Sequence, residues 1–314
     1  MREPIPVVID CDPGVDDAIA LLLAFRSPEL EVLGVTTVAG NAGVDVVTAN
    51  AAAVLDLAGA PTDLPLARGA AGPLRGGRRV PDEPIHGIGA LGGVTLQASA
   101  RRVEAGAPEL IARLALDRPG EVVLVAIGPL TNVARLVTEH PDAAAALRGI
   151  VHMGGAAFVP GNITPAAEFN TFCDPEAARA VLTSGLPVRV VPLDVTRRAA
   201  FPGRLSDRLA ASSDVRTATA GAMLRGLTDR HEARHGKRLC YVHDATALAA
   251  VIDPAPFGWH RHAVDVECAG ELTRGALVVD VYGRTRGPAT VDVALELEPA
   301  AIEALLLDAL EGSR

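Results

Sequence analysis

Residues 7–17 read VVIDCDPGVDD. A β-branched apolar run ends in Asp10 and Asp12, a Pro13-Gly14 turn follows, and Asp16 and Asp17 come directly after it. A short run that is apolar at every position is a strand covered on both faces, because parallel strands flanked by helices lose the in/out alternation of a half-exposed one. The next segment, DAIALLLAF (17–25), is Ala/Leu-rich with helical period.

The same alternation recurs downstream. LEVLGVTTV (30–38) precedes VDVVTANAAAVLDLAG (44–59), EVVLVAI (121–127) precedes LTNVARLV (130–137), and GIVHMGG (149–155) precedes PEAARAVLTSG (175–185), with VRVVPLDV (188–195) after it. Strand–helix repetition of this kind predicts an α/β fold: an open, mostly parallel Rossmann-like sheet flanked by helices. After about residue 260, AVDVEC, GALVVDVYG and ATVDVALELE follow one another without intervening helices, so an antiparallel C-terminal appendage is expected, closed by AAIEALLLDALEG (300–312). No linker or repeat divides the chain, which predicts one domain over 1–314.

Composition narrows the function. The 314 residues are 49% hydrophobic with a net charge of -9 and no basic stripe, which argues against nucleic-acid polymers and for a small-molecule ligand. There is no bilayer-length apolar run and no signal-peptide pattern at Met1-Arg2-Glu3-Pro4, so a cytoplasmic protein without a membrane partner is expected. Cys11, Cys173, Cys240 and Cys268 form no CxxC pair, which indicates neither a zinc site nor a disulfide framework. Cys11, between carboxylates that disfavour its thiolate, reads as a core residue.

In open α/β sheets, ligands bind beyond the carboxyl ends of the strands. Asp12, Asn41, Gly128 and Met153-Gly154-Gly155 all fall at such ends, and PIHGIGALGG (84–93) and RHEARHGKRLCYVHD (230–244) are polar or glycine-rich stretches suited to lids. A helix N-terminus accounts for two of the four aspartates, with Asp16 as N-cap and Asp17 meeting the macrodipole. It does not account for Asp10 and Asp12, on the same side of the strand end, with the turn bringing Asp17 toward Asp12. Like charges about 4 Å apart cost on the order of 4 kcal/mol at an effective dielectric near 20. A cation removes that cost, and hard oxygen donors with no neighbouring His, and with Cys11 read as core, favour Ca²⁺ or Mg²⁺.

DCDPGVDDA (10–18), TTVAGN (36–41), IGPLTN (127–132), MGG (153–155), AEFN (167–170) and HDA (243–245), in this order, resemble the nucleoside hydrolase family of the inosine/uridine-preferring type, over residues 7 to 255. The resemblance implies Ca²⁺-dependent hydrolysis of the N-glycosidic bond of ribonucleosides to ribose and free base. It implies that Asp12, Asp17, Asp244 and the backbone carbonyl of Ile127 ligate the metal, that Asp12 deprotonates a metal-bound water, and that Asp10 supports the cluster from behind. Asp16, Asn41, Met153, Asn162, Glu168 and Asn170 would surround the ribose, and His243 would contact the base or help it leave. Ca²⁺ suits the chemistry because its flexible coordination holds a water and two vicinal hydroxyls at once more easily than octahedral Mg²⁺ does. A homodimer or homotetramer is expected.

Two departures stand out. Residues 220–241 lack the aromatics that usually flank the base, Tyr241 excepted, and Ala90 stands where the usual HGxxGL form has Gly. His86 and His231 are lid candidates. The rivals are a Mg²⁺-dependent haloacid-dehalogenase-like phosphatase, which follows its DxD differently and lacks the His-Asp pair, and a catalytically silent nucleoside or ribose binder on the same fold.

Overall fold

A computed structural model describes residues 3–76, 85–87, 89–284 and 287–312. The chain begins at the middle of its sheet. β1 (Ile5–Cys11) leads through a turn into α1 (Val15–Arg26), and β2 (Leu30–Thr37), α2 (Val44–Ala58), β3 (Leu66–Arg68) and β4 (Glu104–Ala105) step outward on one side. α3 (Ala107–Asp117) returns to β5 (Val123–Ala126) on the other edge of β1. α4 (Thr131–Glu139), α5 (Pro141–Ala146), β6 (Gly149–Met153), α6 (Phe169–Cys173), α7 (Pro175–Leu182) and β7 (Val188–Val191) continue outward there. α8 (Leu193–Thr196), β8 (Ala200–Pro202), α9 (Gly203–Ala210), α10 (Val215–His235), β9 (Leu239–Tyr241) and α11 (His243–Ile252) follow, then β10 (Phe257–Val266), β11 (Leu277–Asp280), β12 (Val291–Leu297) and α12 (Pro299–Glu311).

The main sheet runs β11-β10-β12-β7-β6-β5-β1-β2-β3-β4. β1 pairs in parallel with β2, Asp10 opposite Thr36, and with β5, Asp10 opposite Ala126. The order reverses at β1, so the crevice above its carboxyl end is the topological switch point where such folds bind ligands. Alternate residues of β1 enter different cores: Val7, Ile9 and Cys11 pack with α1, α2, α11 and α12, whereas Val8 packs with α3, α4 and α7. Asp10 follows the phase of Val8. α1, apolar on all sides, is correspondingly buried almost throughout.

The C-terminal strands are antiparallel, as expected, but they extend the main sheet and do not stand apart from it. β12 lies parallel to β7, Val291 opposite Val188, and β10 pairs antiparallel with both β12 and β11. Val291 and Val293 join Val188 and Val190 in one core, which is the reason for the continuity. The 230–244 stretch is likewise more ordered than a lid loop. It ends α10, caps it with Gly236 at φ 68°, and forms β9, which pairs with β8. Arg238 holds this corner, bonded to Asp207 at 2.6 Å and 3.1 Å. Of PIHGIGALGG, Pro84 and Ile88 lie outside the described residues. Gly87, Gly89, Gly92 and Gly93 take positive φ, and so does Ala90, at 64°, the one such non-glycine among the described residues.

Candidate active site

The turn after β1 sets the site. The N-cap of α1 is Gly14, not Asp16: Asp17, at the third helical position, accepts from Gly14 N at 2.9 Å and from Asp12 N at 3.0 Å, so the chain folds back on its own carboxylate. This brings Asp17 against Asp12, as the spacing predicted. Asp12 Oδ2 accepts from Asn41 N at 2.7 Å, and Asn41 Nδ2 donates to Asp12 O and to Asp17 Oδ2. The Asp12 carboxylate lies between Gly40 and Gly128, either of which would strike it with a Cβ, at 2.7 Å from Oδ1 in the case of Gly128. Asp10 Oδ1, behind, accepts from Thr36 Oγ1 at 2.6 Å and Asn132 Nδ2 at 2.8 Å.

α11 brings Asp244 to the same place. Carboxylate oxygens of Asp16, Asp17 and Asp244 lie within 4.8 Å of one another, so Asp16, assigned from sequence to the sugar, also belongs to the cation-binding candidates. Burial is the largest cause of a raised pKa at every member. Asp10, Asp16 and Asp17 are pushed to about 6, and Asp12 and Asp244, also facing neighbouring aspartates, well above the usual carboxylate range. Asp10 Oδ2 and Asp16 Oδ1 are buried with no hydrogen-bond partner among the described residues. A concentration of ionisable oxygens that protein groups leave unsatisfied fits a hard divalent cation. The same carboxylates, after burial, push the Cys11 thiol up, consistent with its reading as core.

Above the cluster is a cavity of about 980 Å³ lined by Asp12, Asp16, Asn41, Ile127, Met153, Asn162, Glu168, Asn170, His243 and Asp244, together with groups from α10 and the 85–87 turn. Asp10 and Asp17 stand behind this lining and do not form part of it. Several lining groups have partners of their own. Asn170 Nδ2 donates to Ile127 O at 2.8 Å and Met153 O at 3.0 Å. Glu168 caps α6, accepting from Asn170 N and Thr171 N, and ties down Gly155 N at 2.8 Å. Asn162 Oδ1 accepts from Phe169 N. His243 Nδ1 is 2.7 Å from Thr196 Oγ1, and burial, then the charge of Arg197, holds its pKa down at about 3.

His86 is at the site: its Nδ1 accepts from Val15 N at 3.1 Å and its Nε2 is 3.7 Å from Asp16 Oδ1, with burial holding its pKa at about 4. His231 and His235 supply part of the ring surface that residues 220–241 lack in aromatics. His235 packs on His231, His231 on Tyr241 and Tyr241 on His243, with centroids 4.7, 5.5 and 5.6 Å apart. Sequence reasoning missed Thr196, Asn132 and the two glycines around Asp12. Asn132, Gly40 and Gly128 sit inside the quoted motifs and so carried a signal; Thr196, 47 residues from His243, carried none.

A mostly parallel sheet with a buried carboxylate cluster below a large cavity at its switch point defines a small-molecule site of the α/β enzyme type. The chain belongs to the inosine-uridine preferring nucleoside hydrolase family, whose model matches residues 7–304, and it is a ribonucleoside hydrolase acting on N-glycosyl compounds. It is 39% identical over 307 residues to the pyrimidine-specific ribonucleoside hydrolase RihA of Shewanella sp. (strain ANA-3), covering 97% of this chain and 96% of that one. Uridine nucleosidase 1 of Arabidopsis thaliana is 38% identical over 269 residues, 84% of this chain and 79% of that one. Among solved structures, the plant nucleoside hydrolase PpNRh1 superimposes with a TM-score of 0.90 at 32% identity over 98% of this chain and 99% of that one. The purine-preferring ribonucleoside hydrolase from Gardnerella vaginalis gives 0.92 at 27% identity, over 98% of each.

Proposed function

We propose that the protein hydrolyses ribonucleosides with the help of a calcium ion held by Asp12, Asp17, Asp244 and the Ile127 carbonyl, with Asp16 beside them. The observation that carries this reading is the buried carboxylate cluster at the cavity floor, whose members all have raised pKa values and in which Asp16 Oδ1 lacks a hydrogen-bond partner among the described residues. When bound, the cation supplies Lewis acidity and a charge that offsets the mutual repulsion of the aspartates. Calcium is preferred to magnesium because the donors are numerous and irregularly placed oxygens.

The remaining chemistry belongs to the chain. Hydrolysis of a ribosyl C–N bond passes through an oxocarbenium-like state with water entering opposite the base. Asp12, fixed by Asn41 N and confined by Gly40 and Gly128, takes the proton of that water, and coordination to the cation would keep it ionised at neutral pH. Asp10 holds the strand end behind it. Asp16, Asn41, Asn162, Glu168 and Asn170 bind the ribose hydroxyls, with Met153 packed beneath the ring. The anchoring of Glu168 and Asn170 to backbone groups keeps them oriented and limits the reorganisation needed on binding. In the tautomer where Thr196 donates to Nδ1 of His243, the neutral ring carries its proton on Nε2 and can offer it as a hydrogen bond to the departing base.

Resemblance to pyrimidine-specific relatives favours a pyrimidine base. Recognition through the vicinal hydroxyls gives the test: uridine should be turned over at least about tenfold faster than 2′-deoxyuridine, the cost of leaving buried polar partners unpaired. Equal rates of base release would remove the ribose-binding assignments.

A further inference from the structure

The cavity has two chemically different boundaries. Its floor is acidic, whereas α10 contributes Leu227, Arg230, His231, Ala233, Arg234 and His235 to its wall, none of them a carboxylate. The acidic residues interleaved with them on α10, Asp229 and Glu232, bond instead to Arg238, at 3.2 and 3.3 Å.

Arg230 is a constrained cation of this wall. Its Nη1 donates to Gly226 O, one helical turn back, at 3.0 Å. Its guanidinium lies on the backbone of Gly87, where a Cβ would overlap it and where φ is 76°, so two requirements for glycine coincide at one residue. Gly87 adjoins His86, which contacts both the start of α1 and Asp16. The guanidinium thus lines the cavity from the same helix as His231 and His235, whose rings stack toward Tyr241 and His243, the residue assigned to the base.

We infer that Arg230 is a specificity-determining residue: its guanidinium takes up the negative charge of the departing base, so the enzyme favours bases that leave as stabilised anions, uracil above cytosine. This rests on the ribonucleoside hydrolase reading. In the reaction the C1′–N bond breaks with its electron pair passing to the base, the water oxygen bonds to C1′, one water proton stays on the new ribose hydroxyl and the other ends on the base. Before that last transfer a uracil base carries its charge on a ring nitrogen and two carbonyl oxygens, which are acceptors for a guanidinium fork. An arginine keeps its charge at every relevant pH. Cytosine leaves more readily once it has been protonated on the ring, and a fixed positive charge opposes that protonation. The same side chain therefore assists one base and hinders the other.

The test is kcat/KM for uridine and cytidine in the wild type, Arg230→Gln and Arg230→Lys, each checked by thermal melting. The wild type should prefer uridine. Arg230→Gln should lose about 10- to 100-fold on uridine, the scale of a lost charge-stabilising donor, and keep or improve its rate on cytidine. Arg230→Lys should restore most of the uridine preference, which a purely structural role would not require. Equal losses on both substrates, or a uridine-to-cytidine ratio unchanged in Arg230→Gln, would overturn the inference while leaving the hydrolase reading intact. A wild-type enzyme that frees ribose from neither substrate would overturn both.

Discussion

Asp12 is confined by neighbours that have no side chain to spare. Replacing it with Asn keeps an oxygen for a cation and the contact with Asn41 N, so Asp12→Asn should retain the fold and most bound metal while kcat falls at least about 10²-fold, the scale of a lost general base. Metal analysis and steady-state rates on one preparation check this, and surviving activity would move the base elsewhere. Gly128→Ala tests the cradle without touching a charge. Its Cβ would lie 2.7 Å from Asp12 Oδ1 and 2.9 Å from Val38 Cγ1, so the carboxylate must shift. We expect a stability loss of about 1 to 3 kcal/mol and a loss of activity that far exceeds it; wild-type kcat would show that Asp12 has room. At this scale the aspartates were legible because four charges after an apolar run need an explanation. Gly40 and Gly128 were marked by their place in the motifs, but their packing role was not legible, because a glycine in a loop motif carries no mark of what its missing side chain makes room for.

Secondary structure was legible wherever pattern and context agreed. The strand and helix of 7–26 read correctly because an apolar run, a Pro-Gly turn and a Leu-rich segment each point the same way. The 230–244 stretch misled because its His, Arg and Lys residues give α10 little amphipathic signal; its order comes from tertiary contacts such as those of Arg238 with Asp207. Ala90 is the converse case. Its departure from the usual glycine was visible in the sequence, and the structure gives the reason that glycine suits the position, a left-handed backbone. On β6, His152 shows what a buried element does to a titratable group. Its Nδ1 is 3.0 Å from Ala126 O, Nε2 has no partner among the described residues, and burial lowers its pKa from 6.5 to about 4. The folded state therefore keeps the ring neutral where the unfolded chain takes up a proton. This contribution to stability is complete above pH 6.5 and is lost as the pH falls toward 4, by on the order of 3 kcal/mol in all. Urea titrations of the wild type and His152→Gln at pH 7.5 and 4.5 should show the gap between them narrowing by about 2 kcal/mol or more. A gap independent of pH would mean that the ring has the same pKa in the folded and unfolded states.

Over the whole molecule, the parallel α/β class and the position of the site followed from strand–helix alternation and from the rule that places ligands at carboxyl ends. The attachment of the last three strands was not legible, since spacing reveals that neighbouring strands are antiparallel but not that β12 will pair with β7, a hundred residues earlier in the chain. No helix among the described residues is long and apolar enough to cross a membrane. The fold brings Asp16 and Asp17 of α1 together with Asp244 of α11, more than 200 residues later, so a cation bound among them would tie α1 to α11 and stabilise the native state alone.

Ribose release from uridine, measured on one preparation before chelation, after it, and after Ca²⁺ is returned, tests this most directly, with the melting temperature followed in parallel. We expect activity to vanish on chelation, the melting temperature to fall with it, and both to recover with calcium. Undiminished ribose release from protein shown by elemental analysis to be metal-free would contradict the calcium-dependent mechanism.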